Sequence, residues 1–264
     1  MQNKLQLINI WFRFPFSDWI FRNVSLELEN GIYIIVGRNG VGKTTLLRII
    51  AGILKPQKGR IYINSKEINS VKDAVKLVSF MPSSPYNMII GPTVYDDIKK
   101  AVKAFNNKLT AREIIEFFSI EHLKEKKVFH LSYGEVHIVA LASVYALGTP
   151  IILLDEPTVG LDKKYREKLV QLLRKISGDR IVVIAANDLR LIPIGQKIIA
   201  LNNGGIDFIG DPKVVFYNYL EKIGVGISDI VQFAKKMKIE SKPITVKELK
   251  SEILRLIGDS NARL

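Results

Sequence analysis

Residues 37–44 read GRNGVGKT, with lysine and threonine directly after the third glycine. The spacing is that of a loop whose backbone N–H groups wrap phosphate oxygens, because glycine permits close approach and unusual dihedrals. The N–H groups of Asn39, Gly40, Val41, Gly42 and Lys43 are the candidate donors. The Lys43 ammonium reaches towards β- and γ-phosphates, the Thr44 hydroxyl is placed for Mg²⁺, and Thr45 falls in the first helical turn near an α-phosphate. The context fits: an apolar run, GIYIIVG, precedes the loop and a helix-like run, KTTLLRIIAGIL, follows it. A second cluster ends another apolar run, PIILLDEP at 150–157. There Asp155 suits an outer anchor for Mg²⁺ and its water, and Glu156 suits the group that polarises an attacking water. Together these residues spell nucleoside triphosphate hydrolysis assisted by Mg²⁺.

The elements that must hold these residues are legible as period changes. Continuous apolar runs at 31–37, 77–82, 150–157 and 180–188 read as buried strands. Helical patterns lie between them, at 43–54, across 93–148 and at 163–177. Strands alternating with helices predict an α/β fold with a parallel sheet. Alternation in KLQLINIWFRF (4–14) and NVSLELENG (23–31) predicts an antiparallel β layer in the N-terminal part. Residues 197–210 read as a hairpin, and after DPKVVFYNYL (211–220) the chain turns helical, with Pro243 between two short helices.

Bulk properties narrow the class. The chain has 264 residues, 47% hydrophobic and 25% charged, enough for a large buried core. A net charge of +13 suits anionic partners without choosing among them. The absence of cysteine excludes disulfides, thiolate metal sites and cysteine nucleophiles. No signal peptide is read at the N-terminus, and the longest apolar run, residues 138–148, is shorter than the roughly 20 residues a spanning helix needs. His122, His130 and His137 have no metal-ligand spacing and are read as surface or packing residues.

Motif order makes the reading more specific. LSYGE at 131–135 resembles the LSGGQ signature of ABC transporter nucleotide-binding subunits, it precedes the IILLDEP strand at the family's spacing, and GLD at 160–162 resembles the family's D-loop. The resemblance covers about residues 5–215. It implies a P-loop NTPase core with a helical subdomain near 93–148, an ABC ATPase domain over 1–215, and a helical C-terminal extension over 216–264. It also implies two subunits packed head to tail, as homodimer or heterodimer, with each ATP between the P-loop of one and the signature of the other. Ser132 and the N–H groups of Tyr133 and Gly134 then form the second anion cradle. Phe14 takes the place of the aromatic that stacks on adenine. The tail, through ITVKEL at 244–249, is similar to that of ATPases in cobalt, nickel and vitamin importers of the energy-coupling-factor kind. The partners implied are integral membrane transporter subunits, with the chain peripheral on the cytoplasmic side and no nucleic acid expected. The segment 83–98 is where the family receives that partner, and exposed Tyr86, Met88, Ile89 and Ile90 are expected there.

The chain departs from the family at four positions. Ser83 stands where a glutamine contacts Mg²⁺ or the attacking water; Asn187 stands where a histidine is usual; Tyr133 replaces a signature glycine; and Ile138 replaces a basic residue. A catalytic set of Glu156, Asn187 and Ser83 is expected, with turnover slowed rather than abolished. Two rival readings stand beside the transport ATPase: a soluble ABC ATPase acting on nucleic acid or ribosomes, which the charge favours slightly, and a catalytically reduced half of an unequal pair.

Overall fold

Strand alternation near the N-terminus produces β1 (Lys4–Phe12) and β2 (Phe21–Glu29), whose inward residues Leu5, Leu7, Ile10, Phe12, Phe21, Val24, Leu26 and Leu28 are all buried. The computed structural model describes residues 2–105 and 107–261. The β1–β2 register shifts between Leu7 and Ile10, beside Asn9 and Asn23, both at positive φ. Asparagine tolerates that conformation, so the bulge falls where the sequence allows it. Next comes β3 (Gly31–Val36), then α1 (Lys43–Ile50), which stops short of the run expected from sequence because Gly52 takes φ +69°. β4 (Lys58–Ile63) and β5 (Lys66–Glu67) complete an antiparallel sheet of order β2-β1-β4-β5.

A short α2 (Val71–Ala74) leads to β6 (Val78–Met81). The helical region follows as α3 (Val94–Ala104), α4 (Ala111–Phe117) and α5 (Tyr133–Ala146). Then come β7 (Ile151–Asp155), α6 (Lys163–Ile176), β8 (Ile181–Ala185), β9 (Lys197–Asn202) and β10 (Gly205–Gly210), and the four strands join β3 and β6 in a second sheet, of order β10-β9-β3-β8-β7-β6. The hairpin read at 197–210 is present, but its first strand also pairs in parallel with β3, so it extends the core sheet. The tail is α7 (Pro212–Asn218), α8 (Asp229–Lys236) and α9 (Val246–Asn261). Pro243 does lie between two helices, but α9 has 16 residues and is not short. The ITVKEL stretch starts it: Thr245 Oγ1 accepts from Glu248 N (3.1 Å) while Glu248 Oε2 accepts from Ile244 N (2.8 Å) and Thr245 N (3.1 Å).

Both faces of the larger sheet are covered, which is why its strands read as unbroken apolar runs. Ile32, Ile34, Val36, Ile152, Leu154, Val182 and Ile184 face the helical core, whereas Tyr33, Ile35, Ile151, Leu153 and Val183 face α1 and the antiparallel sheet. Ile89 joins the first core at 9% exposure and Met88 is half-buried, so of the four residues expected exposed after β6 only Tyr86 (45%) and Ile90 (73%) are.

One buried carboxylate fixes that segment. Asp97, 3% exposed, accepts from Ile90 N (2.7 Å), Gly91 N (2.9 Å) and Ser143 Oγ (2.5 Å). It ties the connection after β6 to α3 and α5. Asp97→Ala strands these donors and is expected to cost about 3 kcal/mol, or roughly 10 °C of melting temperature. Thermal unfolding by circular dichroism checks this; a drop under about 2 °C would show that the donors find other acceptors.

Candidate nucleotide site

Three adjacent parallel strands, β3, β8 and β7, end on one edge of the sheet. That carboxyl edge is where open α/β sheets hold ligands. β3 delivers residues 37–44, β7 delivers Asp155 and Glu156, and β8 delivers Asn187. The loop needs its glycines. At Gly42 (φ +109°) a Cβ would lie 2.7 Å from Ile20 Cγ2, and at Gly37 (φ +157°) it would lie 2.7 Å from the Leu201 carbonyl oxygen. The Val41 amide donates to Arg38 O at 3.2 Å. The amides of Asn39, Gly40 and Gly42 have no acceptor among the described residues.

Lys43 is 7% exposed and its ammonium donates to Gly37 O (3.0 Å), Arg38 O (3.3 Å) and Asn187 Oδ1 (2.9 Å). Burial lowers its pKa, while the Glu156 and Asp155 carboxylates work against that. Thr44 Oγ1 donates towards both oxygens of Asp155, at 2.9 and 3.0 Å. Burial raises the Asp155 pKa, opposed by Thr44, Arg48 and Lys43. Glu156 has φ +49°, its N–H donates to Ala185 O (2.8 Å), and its Oε2 accepts from Asn187 N (2.9 Å). Burial raises its pKa as well, opposed first by the Asn187 N–H and then by Lys43. Asn187 therefore touches both the lysine and the glutamate, one through its side chain and one through its backbone. Asp188 is held by Arg190 (2.7 Å) and Arg166 (3.4 Å), which locks the turn after β8. Ser83 lies exposed two residues beyond β6 and makes no hydrogen bond among the described residues.

Phe14, 39% exposed, meets Phe12 edge-on at 5.1 Å and lines a cleft of 560 Å³ with Trp19, Arg38 and Asn203. Asn39, Gly40 and Val41 border the same cleft, so it opens onto the phosphate loop. Trp19 and Arg38 escaped the sequence reading. The signal available was an aromatic beside a turn and a cation inside the glycine loop, and neither is specific.

The signature lies elsewhere in the chain. Ser132 caps α5 in a reciprocal box with Glu135, Oγ accepting from Glu135 N (3.3 Å) and Glu135 Oε2 accepting from Ser132 N (2.6 Å). That leaves the Tyr133 and Gly134 amides at the helix start without an acceptor among the described residues. No hydrogen bond joins residues 132–134 to residues 37–45 among the described residues. Of the histidines, His137 is fully buried with Nδ1 3.0 Å from Tyr133 O, whereas His122 and His130 are exposed.

A phosphate loop, a paired threonine and aspartate, a glutamate at the strand end and a capped signature helix define an ATP-hydrolysing cassette. Residues 21–159 match the model of the ABC transporter family. The chain belongs to that family, as an ATP-binding subunit with ATPase activity. Within the family it resembles the energy-coupling-factor type. It is 32% identical to the energy-coupling factor transporter ATP-binding protein EcfA2 of Caldanaerobacter subterraneus subsp. tengcongensis, over 92% of either chain. Among solved structures it resembles cbiO1 from Clostridium perfringens, part of the ABC transporter complex cbiONQ. That likeness has a TM-score of 0.73 and 27% identity, covering 89% of this chain and 98% of that one. It also resembles the dimeric ATP-binding cassette MJ0796 in a post-hydrolysis state with ADP and phosphate. Here the TM-score is 0.68 and the identity 26%, over 79% of this chain and 98% of the other. No helix among the described residues is long and apolar enough to cross a membrane.

Proposed function

We propose that this chain is one half of a head-to-tail ATPase pair that drives solute import, of a metal ion or vitamin, through an integral membrane partner from the cytoplasmic face. The observation that carries the reading is the junction at Asn187, which links the phosphate-loop lysine to the glutamate at the end of β7. In the loaded pair Lys43 donates to the β- and γ-phosphates in place of Asn187 Oδ1, and the amides of residues 39–43 hold the remaining oxygens. Phe14 supplies the ring against which adenine stacks. Thr44 Oγ1 and the Asp155 carboxylate, already adjacent, are hard oxygen donors that fit Mg²⁺. Bound there, the ion would neutralise phosphate charge. Glu156, with its raised pKa, orients the attacking water and accepts its proton. Ser83 is shorter than the glutamine it replaces and reaches the water through another water. The Ser132 hydroxyl and the Tyr133 and Gly134 amides of the second subunit close over the γ-phosphate.

Size-exclusion chromatography with light scattering, on the purified chain with and without Mg²⁺–ATP, tests the pair. An ATP-dependent dimer is expected. A monomer at saturating ATP, in wild type and in Glu156→Gln alike, would overturn pairing between identical copies. Asn187→His is expected to raise turnover severalfold, since a histidine can hold the γ-phosphate as a cation and Asn187 cannot. Unchanged turnover would place the limit at Ser83.

A further inference from the structure

Tyr133 is the signature residue that departs most in size from the family pattern, and its ring turns back into its own chain. It lies 5.9 Å from the Tyr86 ring, tilted by 50°, and 4.5 Å from the His137 imidazole. Gly160, in the GLD stretch, faces the same ring: a Cβ there would fall 2.6 Å from Tyr133 Cε1 and 3.0 Å from Cζ. The next signature residue is held likewise, since a Cβ on Gly134 would lie 2.3 Å from Tyr165 Cδ2, at the start of α6. Three segments therefore meet on one phenol ring: the turn after β6, the signature helix start and the loop before α6. Tyr86 is 45% exposed and lies in the turn that Asp97 anchors, so it has one side on Tyr133 and the other on solvent.

We propose that the Tyr86–Tyr133–Gly160 contact is a relay: a positioning device by which whatever grips the exposed turn after β6 sets the orientation of the signature amides. The partner-contact half of this rests on the transport reading above; the relay itself does not. A glycine at 133 leaves a signature turn free of the segment after β6. A tyrosine couples them, and Gly160 is the small residue that makes room. Aromatic pairs at these separations contribute beyond simple burial. Among the described residues the buried His137 Nε2 has no hydrogen-bond partner, and His137 packs behind the ring as a backing for it.

Hydrogen exchange on the full-length chain without nucleotide provides the test, reading the peptide over residues 132–138. The Val136 amide donates to Ser132 O at 2.9 Å and reports on the helix start. Tyr86→Ala is expected to speed its exchange at least about fivefold, Tyr133→Ala at least as much, and the double variant no more than Tyr133→Ala alone. Tyr86→Phe keeps the ring and is expected to match wild type. A phosphate-loop peptide with unchanged exchange in Tyr86→Ala shows that the fold is intact. An unchanged signature peptide in Tyr86→Ala, or additive effects in the double variant, overturns the relay. In parallel, Tyr86→Ala is expected to lower kcat for ATP with KM within about twofold, because the relay acts on the signature and not on the phosphate loop. If neither wild type nor Lys43→Ala turns over ATP, the assignment of activity to this isolated chain fails while the exchange result still judges the relay.

Discussion

Lys43→Ala is expected to lower steady-state ATP turnover by at least about a hundredfold, the range seen when one preorganised charge donor to a transition state is removed. Its ammonium is placed by two loop carbonyls and by Asn187, at 2.9–3.3 Å, and among the described residues it has no carboxylate partner at hydrogen-bond distance. That arrangement costs desolvation, as its lowered pKa records. The charge is therefore held ready for an anion and is not part of a structural ion pair. Folding should survive: the variant loses hydrogen bonds to two loop carbonyls and to Asn187 Oδ1 but also loses a buried cation. A melting temperature within about 3 °C of wild type, with nucleotide binding weakened in calorimetry, is the expected pattern. Turnover equal to wild type would remove the phosphate-loop assignment. Lys43→Arg is not a rescue, because the guanidinium fork is wider than the site, which leaves the side chain 7% exposed.

Glu156→Gln separates activity from stability in opposite directions. Turnover is expected to fall at least about a hundredfold, the contribution typical of a positioned general base. The amide keeps an oxygen to accept from Asn187 N, so the local geometry persists. Stability should rise at neutral pH. The carboxyl's pKa is raised above its ordinary 4.5, chiefly by burial. A group raised on folding stabilises the fold below its unfolded pKa, and that contribution disappears as pH climbs through the folded value. At pH 7.5 ionised Glu156 is thus a net burden, and glutamine lifts it by about 2 °C. Near pH 4, where the carboxyl is largely protonated in both states, the gap should close. Melting curves of both proteins at the two pH values check the sign; a lower melting temperature for the variant at pH 7.5 would show that the carboxylate holds the turn. Activity follows the same group, with turnover lost on acidification at a higher pH than for an exposed glutamate.

The phosphate loop, its strand and its helix were legible because the chemistry there is local: glycines, lysine and threonine act through adjacent backbone. Asp155 and Glu156 were legible for a similar reason, since an unbroken apolar run can end only at the sheet edge. The ring at position 14 was readable only through the family resemblance, and its neighbours Trp19, Arg38 and Asn203 come from three loops far apart in the chain. No local pattern encodes that meeting. Ile89 shows the same limit. It sits in a polar-flanked segment that reads as surface, yet the short turn at Pro85–Met88 rotates it into the core at 9% exposure. The 197–210 hairpin is local and legible, but its attachment to β3 is a non-local pairing.

The left-handed backbone at Glu156 stores strain. Its φ of +49° is one that glycine or asparagine adopts at little cost and that a longer side chain resists. Every folded copy carries that strain, of order 1 kcal/mol, whether or not ATP is ever cut. Asparagine or glycine at 156 would relieve that strain without moving the backbone. The strain is thus the standing cost of holding a carboxylate, and not an amide or a glycine, at the end of β7.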